Sequence, residues 1–469
     1  MLIKKIITIS VLPIFLFSFE INFSEALDLA LQNNKELKAK KLSIEKAKED
    51  LKEAKGYDYG TLKFNENYTK TNHAGYVFGM KMAQRGATFS DFGFDYFIDN
   101  MGGLMSSSTT TQANTRSDLL AHEPNELNEP DAYSNYETKL SYDIPLFTGF
   151  KLSSAKQMSK LQIKANKAKY NFDEKSLGLE VLKAYNGAVA AKYFIDATKK
   201  AKEATSSFVE FANELYKEGL VTAIDVKQAG VYDLGVNARY EESNNQYQQA
   251  LAYLRFLTGN RQIDKVGEFV NISSNSTELN SLQKEAIDNR DDYNWMDLNT
   301  KTMKKKIDFD SAEQYPMIGA HAEYGYNEQS VSMDDDQSYY LMAVGLEYKI
   351  FDGMKISTAK QKAKIEYKKT NYYFEYMKDG IKLQVENNLL NLQTKQKILK
   401  EKIKAGDLAD EVLLQSKEMY KNNLINMSNL LMQQANAQRA RAEVIKSKYD
   451  VTIAAAQLKL SLGKSLKEN

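Results

Sequence analysis

Histidine, cysteine and clustered carboxylates build most catalytic and metal sites, and few of them occur in this chain. Its three histidines, His73, His122 and His321, have no second histidine at metal-ligand spacing, and cysteine is absent. The acidic run Asp334 to Asp336 offers a weak cation site, although a solvated acidic loop is the simpler interpretation. Carboxylates are abundant, but no pattern singles out an acid–base pair, a phosphate loop or a nucleophile elbow. We therefore expect no enzyme, no cofactor and no resident metal.

The charge balance gives no reason to expect a nucleic-acid partner. Lys and Arg total 63 against 62 Asp and Glu among 469 residues, and these charges are spread along the chain. The absence of cysteine excludes disulfides and a lipid-modified N-terminal cysteine. Any anchoring must therefore come from the fold.

The N-terminus has the pattern of an export signal. Lys4 and Lys5 precede an apolar run over residues 6–17, which is too short to span a bilayer and is followed by Ser18. A buried N-terminal helix is the alternative. We expect residues 1–18 to be a signal peptide, and because no later stretch reaches about 20 apolar residues, a membrane role would have to use strands.

One unit of sequence occurs twice. Residues 147–156 align with residues 351–360, 204 positions later, with six of ten identical, and residues 214–220 align with 418–424 at the same offset. Further upstream, corresponding residues of the two copies lie 256 positions apart. The first copy therefore carries 52 extra residues before Phe147.

These offsets predict the domain organisation. We expect repeat 1 at residues 19–260, an inter-repeat linker at 261–281, and repeat 2 at 282–469. The extra residues predict a long outer loop at about 71–132, with a polar, mobile stretch at 102–114.

Long helices are predicted because residues 146–315 and 317–469 contain no proline. Residues 151–217 and 355–421 each suit a helix of about 100 Å at 1.5 Å per residue. The first carries a coiled-coil stripe of small and apolar residues; Asn388 and Lys395 interrupt the stripe of the second. Shorter helices, 24–55 with 223–258 and 282–314 with 427–462, would stack end to end as antiparallel partners, with Ser24 as the first N-cap.

Two segments alternate between apolar and polar residues with the period of a strand. Residues 136–144 and 340–350 are the clear cases, and weaker strands precede them near 61–68 and 317–326. The residues predicted to face lipid are Tyr136, Leu140, Tyr142, Ile144, Tyr340, Met342, Val344, Leu346 and Tyr348. A soluble sandwich would show the same alternation. Four strands cannot close a barrel around a channel, so a membrane role requires several chains.

Together these motifs resemble the TolC-type outer-membrane efflux proteins over nearly the whole chain. The resemblance rests on the N-terminal helix at 26–37, the strand-to-helix joints at 144–149 and 350–353, and the hairpin tip at 216–226. It implies a mainly α fold with membrane β, in which two tandem repeats build a long periplasmic α-helical barrel. Each chain of a homotrimer would add four strands to a twelve-stranded outer-membrane β-barrel embedded in lipid.

The same resemblance implies a passive duct with partners that supply the energy. These would be a periplasmic membrane-fusion adaptor protein and an inner-membrane RND, MFS or ABC transporter. The residues carried over to the adaptor-docking tips are Gly219, Leu220, Val221, Asn423 and Leu424, and those carried over to the aperture are Asp225 and Asn429. Asp225 has an alternative role as a residue that favours a helix start.

A rival function is an exported coiled-coil adhesin or structural surface protein. It would explain the helices but not two alternating hairpins at a fixed phase. The sequence does not choose among small-molecule, metal and protein cargo, although no Met or His cluster favours soft metals.

Overall fold

The structure is a computed structural model, and it describes residues 19–272, 278–331, 335–422 and 424–467. The expected signal peptide lies outside these residues. The chain divides into two compact units. Unit 1 comprises Met1–Ala47, Leu161–Lys301 and Lys368–Asn469, and unit 2 comprises Lys48–Lys160 and Thr302–Tyr367.

Helices dominate the described chain, with short strands between them. The helices are α1 (Phe23–Asn33), α2 (Lys35–Gly56), α3 (Ala74–Ala83), α4 (Phe94–Asp99), α5 (Met101–Leu104), α6 (Thr109–Ala121), α7 (Asn125–Asn128), α8 (Lys151–Lys217), α9 (Ala223–Thr258), α10 (Leu279–Asn289), α11 (Asp291–Asp310), α12 (Lys355–Lys421) and α13 (Met427–Ser461). The strands are β1 (Phe19–Ile21), β2 (Thr61–Thr71), β3 (Tyr133–Thr148), β4 (Ile263–Val266), β5 (Met317–Glu328) and β6 (Ser338–Glu347).

The two long helices, α8 and α12, have the predicted ends. The predicted stripe of α8 is buried from Leu177 to Ala191. The two interruptions in α12 have partners on α13: Asn388 donates to the carbonyl of Gln457, and Lys395 pairs with Asp450 at 2.8 Å. Polar residues are accepted in this stripe because a facing group satisfies each of them.

The predicted single helix over 24–55 is wrong, because the chain leaves the helix at Asn34. The Asn34 side chain accepts the N–H of Leu37 at 3.0 Å and so caps α2. The amides of Asn33 and Asn34 donate to the carbonyls of Thr258 and Leu257, the last residues of α9. The last carbonyl groups of a helix have no N–H partner within that helix. The break between α1 and α2 therefore supplies hydrogen-bond donors to the last carbonyls of α9.

The predicted helix over 282–314 is also broken, at the corresponding position of the second copy. α10 ends at Asn289, and Arg290 donates to the carbonyl of Ser461 at the end of α13. Arg290 also donates to Asp292 and to Gln384, so its buried guanidinium is well satisfied. In both copies, the C-terminus of a helix packs at a break between two others: α9 ends at the break between α1 and α2, and α13 ends at the break between α10 and α11.

The first helix begins one residue earlier than predicted, and Ser24 is not its cap. Asn22 accepts the N–H of Glu25 at 2.9 Å, and the Glu25 carboxylate accepts the N–H of Asn22, which completes a capping box. β1 precedes this helix and pairs in parallel with β4. Ile21 and Ile263 from these strands are fully buried in the largest core cluster of unit 1.

Unit 2 contains a four-stranded antiparallel sheet in the order β2-β3-β5-β6, so β2 and β6 are its edges. All four predicted strands are present. The last one is shorter than predicted and ends at Glu347, so Tyr348 lies outside it. Glu347 pairs with Met317, the first residue of β5, and Pro316 before it has no N–H with which to continue the ladder.

The outer loop between β2 and β3 is folded, contrary to the prediction for residues 102–114. α5 and α6 occupy most of that stretch. Gln84, at the end of α3, is buried and donates to Asn135 on β3, and Arg85 donates to the carbonyls of Asp336 and Ser338. These contacts join residues far apart in sequence, so local patterns carried no sign of them.

Within the part of the chain that the structure describes, no helix combines the length and the apolar character needed to cross a bilayer.

Candidate functional site

One face of the four-stranded sheet is apolar across all four strands. The register places Phe64, Leu140, Tyr324 and Tyr340 in one row. The next row towards the helices continues it with Leu62, Tyr142, Ala322 and Met342. Ile144, Ala320 and Val344 follow, and then Ile318 and Leu346. The pleat thus gathers the predicted lipid-facing residues of β3 and β6 on one surface.

This apolar face is uncovered in the single chain. Tyr340 is 75% exposed, Met342 78% and Val344 73%. Among the described residues the other sheet has only two strands, β1 and β4, and both lie in unit 1. A soluble sandwich would bury these side chains, so the exposure argues against that alternative and for apolar surroundings.

The opposite face of the sheet carries a network of charged side chains around Asp143. Lys63 on β2 donates to Asp143 at 3.2 Å, and the Nδ1 atom of His321 on β5 lies 2.7 Å from the same carboxylate. The other ring nitrogen of His321 lies 3.4 Å from Glu323. Three strands are therefore connected through one carboxylate.

The network continues towards the outer end of the sheet through Lys139. Its ammonium group lies 2.9 Å from Glu137 and 3.6 Å from Glu323. Glu137 also accepts from Asn67 on β2 and from the phenol of Tyr339 on β6. Positive and negative groups alternate along this face, which suits a hydrated surface with little net charge.

Sequence reasoning placed Glu137, Lys139 and Asp143 on the polar face but missed their partners. Lys63, His321 and Glu323 became neighbours of these residues only through the strand register. Opposite charges at alternate positions of separate strands were the available signal. Without a register, that signal does not define pairs.

The first hairpin tip, between α8 and α9, is closed by hydrogen bonds at both helix ends. Gly219 has φ of +72°, and the N–H of Leu220 donates to the carbonyl of Leu215 at 2.8 Å, as in a Schellman ending. Thr222 and Asp225 form a capping box at the start of α9. The Asp225 carboxylate accepts the N–H of Thr222 at 2.9 Å and its hydroxyl at 2.7 Å. The helix-start interpretation of Asp225 is thus confirmed by its geometry.

The second tip, between α12 and α13, ends α12 in the same way but starts α13 differently. Leu424 N–H donates to Met419 at 2.8 Å, which repeats the bond of the first tip. Asn426 caps α13 by accepting the N–H of Asn429, and no carboxylate completes a box there. Asn423 lies outside the described residues.

The two tips share one apolar cluster. It includes Ala212 of α8, Ala229 of α9, Tyr420 of α12 and Leu430 of α13. Burial raises the pKa of the Tyr420 phenol, and the nearby Asp225 carboxylate adds to that shift. Val221 is half-buried, while Leu220 and Leu424 are 57% and 69% exposed, so each tip presents an apolar side chain to its surroundings.

The histidines have structural surroundings. His73 precedes α3, His122 stacks on Tyr96 with ring centroids 3.7 Å apart, and His321 belongs to the polar network. Within the described ranges, no group of three or more His, Asp or Glu side chains is placed to hold a metal ion. Asp335 and Asp336 form a short 3₁₀ turn; Asp334 lies outside the described residues.

Comparison with known proteins finds one family and a common fold. A family model described as outer membrane efflux protein matches residues 26–260 and 282–464. No curated protein matches significantly in sequence. A membrane protein from Pseudomonas aeruginosa is 17% identical with a TM-score of 0.76, covering 96% of this chain and 93% of its own. The CmeC outer membrane channel of Campylobacter jejuni is 14% identical with a TM-score of 0.75, covering 94% and 85%. The outer membrane protein VceC from Vibrio cholerae is 13% identical with a TM-score of 0.73, covering 94% and 96%.

Proposed function

Because the chain belongs to the outer membrane efflux protein family, we propose that it forms a trimeric, passive duct through the outer membrane. The duct exports small molecules or proteins together with a periplasmic adaptor and an energised inner-membrane transporter. The chain itself catalyses no reaction in this role.

The observation that carries this proposal is the sheet of unit 2, which has one apolar face and, among the residues that the structure describes, no partner strand at either edge. In hydrocarbon no water is present to satisfy the N–H and C=O groups of an edge strand. β2 of one copy must therefore pair with β6 of the next. Three copies of four strands give twelve, which suffices to enclose an aqueous lumen. The charged network around Asp143 then lines that lumen.

Exposed apolar side chains on the helices of unit 1 support contact between copies. Val231 and Phe256 of α9 are 72% and 76% exposed, and Tyr372 and Tyr376 of α12 are 76% and 78% exposed. A water-filled periplasm disfavours so much apolar surface on a monomer. Neighbouring copies would cover part of it.

The tips are the surfaces that we assign to the adaptor, through Gly219, Leu220, Val221, Asn423 and Leu424. The exposed leucines of both tips offer apolar contacts. The chain has no phosphate-binding loop with which to use a nucleotide, so the inner-membrane partner must supply the energy.

Cysteine cross-linking tests the trimer, since the native chain has no cysteine. Each double variant would have one cysteine in place of Asn65 on the β2 edge and one in place of Leu341 or Ala343 on the β6 edge. All three positions lie on the polar face. We expect oxidation of outer-membrane fractions to yield dimers and trimers and no larger species. Each single-cysteine variant is the matched control and should remain monomeric. If no pair of cysteines gives a cross-link, or if cross-linked species larger than a trimer form, the closed trimer is rejected.

Cell fractionation separates the duct from the exported adhesin. A duct is recovered in the outer-membrane fraction and migrates differently in gels before and after heating. If the protein is recovered only in soluble periplasm or culture fluid, the duct proposal is rejected.

A further inference from the structure

The helical ends of unit 2 that adjoin the sheet are rich in lysine. These four segments, residues 48–56, 151–160, 302–310 and 355–367, contain 13 Lys and six Asp or Glu. The outer loop, residues 71–132, connects the opposite end of the sheet and contains three Lys or Arg against eight Asp or Glu. Charge that is dispersed along the sequence is therefore sorted by the fold, basic at one end of the sheet and acidic at the other.

Some of these lysines already have partners. Lys151 and Lys156 pair with Glu313 and Asp58, and Lys306 pairs with Asp310. Six others are exposed and have no carboxylate partner among the described residues. These six, which we name the basic collar, are Lys55, Lys160, Lys304, Lys355, Lys362 and Lys364.

The basic collar lies close to the sheet. Lys55 and Lys355 stand at helix ends, and Lys160 and Lys364 are each nine residues into α8 and α12. Nine residues of helix correspond to about 14 Å. A lysine at that distance from the sheet can still interact with lipid headgroups. The headgroup layer is about 5 to 8 Å thick, the lysine side chain is flexible, and the Debye length is about 8 Å.

Exposed aromatic side chains lie between the collar and the apolar face. Tyr59 is 74% exposed, Phe150 55%, Tyr315 49% and Phe351 83%, and each sits at a joint between a strand and a helix. Aromatic side chains at such joints mark the boundary between hydrocarbon and headgroups. The lysines follow immediately on the headgroup side of that boundary.

We propose that the basic collar binds anionic phospholipid headgroups of the periplasmic leaflet, so that the protein selects these lipids as its annulus. The proposal rests on the placement of the sheet in the outer membrane given above. Clusters of four to eight basic residues directly beside a membrane-spanning element attract acidic lipids, and each copy presents six. A trimer surrounds itself with three such clusters.

The test uses the full-length protein purified in detergent and titrated with phosphatidylglycerol or phosphatidylethanolamine. Native mass spectrometry counts bound lipid and gives an apparent affinity for each. The collar variant changes all six lysines to glutamine. The matched control changes six exposed lysines of unit 1 to glutamine, namely Lys199, Lys227, Lys397, Lys400, Lys446 and Lys448.

We expect the native protein and the control to prefer phosphatidylglycerol at least tenfold, and the collar variant to prefer it less than twofold. Added salt should weaken the native preference, because the attraction is electrostatic. Equal binding of both lipids by the native protein, or the same loss in the control, would overturn the inference while leaving the duct intact. A native protein that retains neither lipid would also overturn the inference, while fractionation remains the separate test of the duct.

Binding to purified peptidoglycan sacculi provides the second arm. If the collar variant loses sacculus binding and keeps its lipid preference, the lysines recognise the wall polymer and the lipid inference falls. If its sacculus binding is unchanged and its lipid preference is lost, the lipid inference stands.

Discussion

We propose a second role for the Asp225 carboxylate at the first hairpin tip, in addition to the capping role that the structure shows. In the single chain it completes the capping box with Thr222. In a trimer, three such carboxylates at one level would attract cations and repel one another. The second tip has Asn429 at the corresponding position, so the acidic ring would come from the first tip alone.

The two roles separate by substitution. Asp225→Asn removes the charge and retains a side-chain oxygen that accepts hydrogen bonds, whereas Thr222→Ala removes the cap at a cost of about 1 kcal/mol and retains the charge. We expect Asp225→Asn to lower cation selectivity at least twofold in planar bilayers and Thr222→Ala to leave it unchanged. Unaltered selectivity in Asp225→Asn would remove this residue from the aperture.

At the scale of elements, α9 ends at the break between α1 and α2, and α13 ends at the break between α10 and α11. These two junctions have similar geometry, but they should differ in how well they tolerate a side chain in place of glycine. Gly259 and Gly463 follow the ends of α9 and α13, with φ of +66° and +76°. A Cβ at Gly259 would lie 3.0 Å from the Asn33 Cβ, a tight contact that a shift of a few tenths of an ångström would relieve. A Cβ at Gly463 would lie 2.5 Å from the Asn289 carbonyl oxygen, which is backbone.

This difference predicts unequal costs for alanine. Either change should cost about 1 to 2 kcal/mol for the left-handed conformation. Gly463→Ala should cost about 1 to 3 kcal/mol more, because the backbone of the α10–α11 junction must move. Apparent melting midpoints of the purified protein provide the measurement. Gly353→Ala is the control, since φ there is +70° and nothing lies within 4 Å. Equal losses at Gly463 and Gly353 would show that the junction is loosely packed.

At the scale of the whole molecule, the two faces of the sheet should respond oppositely to charge. Ala322 lies on the apolar face, paired with Met342, and Ala343 lies on the polar face, paired with His321. A lysine facing hydrocarbon near the bilayer midplane costs about 2 to 4 kcal/mol, and a lysine facing an aqueous lumen costs little.

Ala322→Lys should therefore assemble poorly in outer membranes, while Ala343→Lys should assemble normally. The yield of heat-modifiable protein in that fraction measures the difference. Normal assembly of Ala322→Lys together with failure of Ala343→Lys would reverse the assignment of the faces.

The features determined by the sequence alone are those with a local period. Proline-free stretches, the repeat and the coiled-coil stripe predicted both ends of α8 and α12. Alternation predicted which residues of β3 and β6 share a face. Each of these follows from the geometry of one helix or one strand, and the repeat supplied each pattern twice.

The tertiary structure decided what depends on contacts between distant segments. The breaks at Asn34 and Arg290 occur because helix ends from another part of the chain need donors there. The strand register paired Asp143 with Lys63 and His321, and Pro316 ended the ladder before Tyr348. The fold also brought dispersed lysines to one end of the sheet. Side chains far apart in sequence become partners only when the register and the helix packing bring their atoms within bonding distance.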